Sequence, residues 1–189
     1  MNTTYKIGFS FILALLVIPA QAADINAGKN RSSACMGCHG GNGVSNSSLF
    51  PSLAGQSRAY LETQLKHFRS GERSNATMNA MAKDLKDADI QNLAAYYSGL
   101  PGKSAGGDAS LARAGKDKAA MCMGCHGNEL QGNGQFPKLA GQHPEYISKQ
   151  LADFKNGSRK AGQMNAIAKT LSEDDIKALA EYAGSLKTP

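Results

Sequence analysis

The block Cys35-Met36-Gly37-Cys38-His39 returns, letter for letter, as Cys122-Met123-Gly124-Cys125-His126. Two thiols at i and i+3 share one face of a helix, spaced for thioether bonds to the two vinyl groups of one porphyrin. The histidine that follows is then held beneath the iron. The two blocks use all four cysteines of the chain. C-x-x-C-H is the attachment signature of a c-type haem. Its repetition predicts two haem c groups bound covalently through Cys35, Cys38, Cys122 and Cys125, with His39 and His126 as axial ligands.

A haem fixed by one histidine is either closed by a second ligand or left open for chemistry. A closing ligand must be His, Met, Lys or Cys, must recur in both copies and must lie well downstream. Met78-Asn79-Ala80 and Met164-Asn165-Ala166 meet all three conditions, with Leu85 and Leu171 each seven residues beyond the methionine. Met81 has Ile167 as its counterpart and is assigned to packing. Met36 and Met123 recur but sit between the cysteines, where they fill space beside the porphyrin edge. His67 and His143 face Asp153 and Ser57 in the repeat and are read as surface or outer histidines. Ligation of both irons by His and Met favours the ferrous state and raises the potential, as in electron-carrying cytochromes. It leaves no open position for a substrate, which points to a carrier rather than a catalyst.

The elements that position these residues are also duplicated. Ala27-Gly28-Lys29 matches Ala114-Gly115-Lys116, Phe50-Pro51 matches Phe136-Pro137, and Leu53-Ala54-Gly55-Gln56 matches Leu139-Ala140-Gly141-Gln142. The offset is 87 at the first cysteine and 86 at the proline, so one residue differs in the loop after the histidine. In each copy a short helix starting near Ala27 or Ala114 runs into the cysteine block. A second carries the stripe Tyr60, Leu61, Gln64, Leu65, Phe68, matched by Tyr146, Ile147, Gln150, Leu151, Phe154. A third contains Ile90, Leu93, Ala94 and Tyr97, matched by Ile176, Leu179, Ala180 and Ala183, with Ser172 and Asp175 as a capping box. No useful stretch alternates with period two. The expected fold is all-α: a signal peptide at 1–22, domains at 23–100 and 109–189, and a Gly/Pro-rich linker at 101–108. Each domain is small for an apolar core of its own, and a covalent porphyrin supplies the missing apolar bulk.

Lys6, the apolar run at 7–18, Pro19 and Ala20-Gln21-Ala22 have the form of a secretory signal cleaved near Ala22/Ala23. The run is short for a membrane span, although an uncleaved anchor is the alternative. Export predicts a periplasmic protein with at most peripheral membrane association. Removing the signal leaves 20 basic against 15 acidic residues, a formal +5. The basic residues are scattered among acids, and haem propionates offset them. That argues for solubility or weak steering of a partner, not for nucleic-acid binding.

Taken together, the two CMGCH blocks, the FPSLAGQ and FPKLAGQ segments, the matched stripes and the Met-to-Leu spacing resemble the dihaem cytochrome c4 family, along essentially the whole mature chain. The resemblance implies two class I cytochrome c domains in a monomer. It implies electron transfer from a membrane donor, such as a quinol-oxidising complex, to a terminal oxidase or reductase. It assigns Pro51 and Pro137 to the carbonyls that receive the outer nitrogen of each proximal histidine. Gly28 and Gly115 match the small residue where first and last helices cross, with Tyr96 and Tyr182 nearby. Gln56, Gln142, Tyr60 and Tyr146 are offered as contacts to propionates. The short segments from Gly71 to Met78 and from Gly157 to Met164 depart from longer-looped members of the family.

Other readings of the same residues differ in what they require. Zinc needs a fourth hard or thiolate ligand where methionine recurs, and a thioredoxin-like site needs a βαβ context. A dihaem peroxidase needs one iron that opens, and a gas sensor needs an output domain. A dedicated electron-accepting subunit of a thiosulfate- or nitrite-converting enzyme uses the same chemistry as a respiratory carrier.

Overall fold

The computed structural model describes Met1 and residues 22–188; the apolar run at 7–18 lies outside the described residues. The first half contains α1 (Ile25–Arg31), a 3-10 turn (Ser32–Ala34), α2 (Met36–His39), α3 (Arg58–Ser70), α4 (Ala76–Ala82) and α5 (Asp87–Ser98). The second contains α6 (Ala109–Lys118), α7 (Ala120–His126), α8 (Pro144–Asn156), α9 (Gly162–Lys169) and α10 (Glu173–Ser185). Among the described residues the only β pairing is an isolated bridge between Asn133 and Phe136.

Helix α6 begins five residues earlier than the repeat alone predicts. Asp108 caps it, its carboxylate accepting from the backbone N–H groups of Ser110 and Leu111, and this capping favours nucleation there. The expected box at α10 is present: Asp175 N–H donates to Ser172 Oγ, and Ser172 N–H donates to the Asp175 carboxylate.

First and last helices cross closely in both halves. A Cβ on Gly28 would lie 2.1 Å from the Asn92 carbonyl oxygen and 3.0 Å from Tyr96 Cβ. At Gly115 the same distances, 2.1 and 3.0 Å, run to Ala178 O and Tyr182 Cβ. Only glycine permits this approach. The crossing holds the start of each cysteine block against the terminal helix. Apolar side chains then fill the space around it: Leu61, Phe68, Leu85, Ile90, Leu93, Tyr96 and Tyr97 in one half, and Leu130, Ile147, Leu171, Ile176 and Leu179 in the other.

The two halves face each other about an approximate twofold axis. Ser52 N–H donates to Gln142 Oε1 and Gln142 Nε2 donates to Ser52 O, both at 2.9 Å. At the equivalent positions, Lys138 N–H donates to Gln56 Oε1 at 2.7 Å and Gln56 Nε2 donates to Lys138 O at 2.9 Å. Each glutamine therefore brackets the backbone N–H and C=O of one residue of the opposite half. The Gly-rich segment before α6 packs on the second half, where Ala105 N–H donates to Gly141 O and Asp108 N–H to Glu181 Oε2.

Candidate haem sites

His39 ends α2 and is 6% exposed; His126 ends α7 and is also 6% exposed. Each Nδ1 lies 2.8 Å from a proline carbonyl oxygen, that of Pro51 for His39 and that of Pro137 for His126. A carbonyl only accepts, so Nδ1 carries the proton and Nε2 keeps its lone pair for a metal. Burial holds both imidazoles below their ordinary pKa, against the pull of the carbonyls, which keeps them neutral as ligation requires. The residue before each proline adds a second constraint. The Phe50 and Phe136 rings stand edge-on to the imidazoles, with centroids 6.3 and 6.2 Å away. The Phe-Pro pair thus fixes both the plane and the tautomer of its histidine.

The cysteines occupy the turn before each histidine. Cys35 and Cys122 are half-buried, and burial pushes both thiols up from the ordinary value. Cys38 is exposed and Cys125 half-buried, and all four are free thiols. Among the described residues, no three His, Cys, Asp or Glu side chains converge to hold a bare metal ion.

Met78 lies in α4 and packs against the same apolar cluster as Cys35. Met164 lies half-buried in α9. The sequence reading gave neither methionine a helix. Each is held by its neighbouring asparagine. Asn79 Oδ1 accepts from Asn75 N–H at 2.7 Å, while its Nδ2 donates to Phe68 O at 2.6 Å and Arg73 O at 2.9 Å. Asn165 repeats all three bonds, to Ala161 N–H, Phe154 O and Arg159 O, at 2.7 Å each. The asparagine that follows each methionine in the recurring Met-Asn-Ala is the sequence signal for this anchoring. Met81, 44% exposed, projects outward from α4 rather than into the core.

His67 is half-exposed, with Nε2 3.1 Å from Glu72 Oε2. His143 bonds Ser45 O across the boundary at 3.0 Å. Gln56 and Gln142 turn to the opposite half's backbone, as described above. Tyr60 and Tyr146 accept from Arg159 and Arg73 at 2.9 and 3.0 Å. Burial raises the Tyr60 hydroxyl, but the two guanidiniums outweigh it and bring the pKa below the ordinary value.

The residues fit an iron porphyrin. Each half offers a neutral, carbonyl-oriented imidazole, two thiols on one turn and a half-buried thioether, a donor set suited to iron rather than zinc. The Tyr97 hydroxyl is buried without a hydrogen-bond partner among the described residues. Neither Arg73 nor Arg159 pairs with a carboxylate among the described residues, leaving positive charge that acidic porphyrin substituents would neutralise.

Known proteins agree. The cytochrome c family model matches residues 112–187, and that for cytochrome C oxidase, cbb3-type, subunit III matches residues 23–96. Cytochrome c4 of Stutzerimonas stutzeri is 38% identical, covering 87% of this chain and 90% of that protein. The thiosulfate dehydrogenase electron acceptor of Thiomonas intermedia is 35% identical, covering 86% and 83%. The crystal structure of reduced recombinant cytochrome c4 from Pseudomonas stutzeri matches with a TM-score of 0.82 at 36% identity, covering 87% of this chain and all of that one. Fold and motifs together define a protein of two cytochrome c domains, each with one covalently bound haem c. The chain belongs to the cytochrome c4 family. It is an electron carrier rather than an enzyme.

Proposed function

We propose that His39 and Met78 ligate the iron of the first haem, and His126 and Met164 that of the second. Cys35 and Cys38, and Cys122 and Cys125, supply the thioether bonds. The observation that carries this reading is the exact recurrence of two arrangements: a histidine whose Nδ1 meets a proline carbonyl at 2.8 Å, and a methionine helix fixed by an adjacent asparagine. When bound, each haem supplies a one-electron ferric/ferrous couple, stabilised toward ferrous by thioether ligation. The protein fixes the imidazole tautomer, holds the thioether and excludes water from both axial positions. Pro51 and Pro137 strengthen their histidines by accepting the outer proton.

The domains run over 23–100 and 109–189, joined by 101–108. Export with cleavage near Ala22/Ala23 places the mature monomer in the periplasm. Among the described residues no helix is long and apolar enough to cross a membrane, and in this reading membrane association is at most peripheral. Its donor is a quinol-oxidising complex or a similar membrane oxidoreductase, and its acceptor a terminal oxidase or reductase. A second reading, dedicated acceptor of a thiosulfate-converting enzyme, is favoured by the Thiomonas relative's name. Stopped-flow reduction of the ferric holoprotein by a quinol-oxidising complex and by thiosulfate dehydrogenase separates the two. Fast reduction by the membrane complex alone supports the first reading; fast reduction by the dehydrogenase alone supports the second.

A further inference from the structure

We propose that each methionine-bearing helix is positioned from the opposite domain: Tyr146 and Gln150 act on α4 through Arg73, and Tyr60 and Gln64 act on α9 through Arg159. The proposal rests on Met78 and Met164 being the distal ligands.

Helix α4 has seven residues and α9 has eight, too few for either to be stable alone. Their placement comes from Asn79 and Asn165, and each asparagine is anchored on the carbonyl of an arginine, Arg73 O and Arg159 O. Those arginines are pinned at the other end by the partner domain. Arg73 Nη2 donates to Tyr146 OH at 3.0 Å and to Gln150 Oε1 at 2.7 Å, while Nη1 reaches Gln64 Oε1 at 2.7 Å. Arg159 Nη2 donates to Tyr60 OH at 2.9 Å and to Gln64 Oε1 at 3.0 Å, and Nη1 to Gln150 Oε1 at 2.7 Å. Each guanidinium also lies over an aromatic ring of its own domain, Phe68 at 4.6 Å and Phe154 at 4.5 Å.

Arg73 is therefore a strut. Its side chain is gripped by the second domain, and its carbonyl holds the residue next to Met78. Tyr146 and Tyr60 are the more selective ends of this device: Tyr146 accepts from Arg73 and Tyr60 from Arg159, with Arg73 only a weaker electrostatic neighbour of Tyr60, whereas the two glutamines bridge both arginines. The iron–thioether bond is the weaker axial bond, so a small release of α4 or α9 is felt there first. The consequence is coupling: the second domain sets how firmly the first haem keeps its methionine, and the reverse. An arginine cluster that merely glued the domains together would loosen both sites alike.

The test uses ferric holoprotein carrying Met164→Ala, in which the methionine-sulfur charge-transfer band reports Met78 alone, and the mirror background Met78→Ala. Tyr146→Phe is added to each, and imidazole is titrated against the remaining methionine. The expected result is several-fold tighter imidazole binding and a weaker band at the first haem, with the second unchanged; Tyr60→Phe gives the opposite pattern. Equal change at both haems, or none, overturns the proposal. Absence of the band in the Met164→Ala parent instead overturns the ligand assignment itself, whatever Tyr146→Phe does. If either background fails to take up haem, the same comparison is read in the intact ferrous protein from its two ring-shifted methionine methyl resonances.

Discussion

Gly43 and Tyr97 are in mutual contact: a Cβ on Gly43 would lie 2.8 Å from Tyr97 Cδ1. The equivalent positions in the second domain are Leu130 and Ala183, which share one buried cluster. Both turns do the same work, since Gly43 O accepts from Leu53 and Ala54 N–H, and Leu130 O accepts from Leu139 and Ala140 N–H. Both also have positive φ, 69° at Gly43 and 54° at Leu130. One domain fills the space with the tyrosine ring, the other with the leucine. The leucine tolerates a left-handed conformation that glycine adopts freely.

This exchange predicts coupling. Leu130→Gly should cost about 3 kcal/mol through its cavity, less whatever backbone strain it relieves. Ala183→Tyr should cost about 1–3 kcal/mol by overpacking. The double variant should be more stable than their sum by about 1 kcal/mol or more, read from denaturant melts of the holoprotein. Strict additivity would show that the two positions do not share the space.

Met164→Ala should open the second haem to carbon monoxide and lower its potential, while the first stays closed. Met81→Ala should do neither, since Met81 is 44% exposed and Ile167 takes its place in the repeat. Carbon monoxide binding at the first haem of Met81→Ala would move the ligand from Met78 to Met81.

Gly28→Ala places a methyl group 2.1 Å from a backbone carbonyl that cannot move without displacing α5. A loss of about 3 kcal/mol is expected, confined to the first domain, and thermal melts followed at the two haems would show it. Gly115→Ala should do the same in the second.

Lys138 is 8% exposed, and its ammonium donates to Ala54 O at 3.1 Å without a carboxylate partner among the described residues. Burial holds its pKa below the ordinary value of 10.5. Between the two values the unfolded chain binds more protons at this site than the folded protein does. Stability therefore rises with pH across that window. Lys138→Met should abolish that rise and stabilise the protein near neutral pH by about 1 kcal/mol, measured by melts at pH 7 and 10.

The two haem-attachment motifs were legible because attachment demands fixed types at fixed spacing, and the proposed choice of Met78 over Met81 rests on the repeat, where Ile167 stands opposite Met81. The crossing glycines were legible for a related reason, since only glycine fits there. The helices holding Met78 and Met164 were not, because α4 and α9 are too short for periodicity to register and depend on the asparagine side chain. The side chains that join the two domains were not legible either. Gln56, Tyr60, Gln64 and Arg73 recur as Gln142, Tyr146, Gln150 and Arg159, but a residue preserved between copies normally suggests a contact within its own domain. Here an approximate twofold makes each copy the partner of the other, and a linear pattern does not display which side chains meet across it.

The central claim is that both irons are closed by histidine and methionine. An optical titration of the holoprotein, ferric and ferrous, with and without carbon monoxide, tests it most directly. Two low-spin haems, a methionine-sulfur charge-transfer band and no carbon monoxide binding are the predicted result. A high-spin or carbon-monoxide-binding haem in the unmodified protein would contradict it.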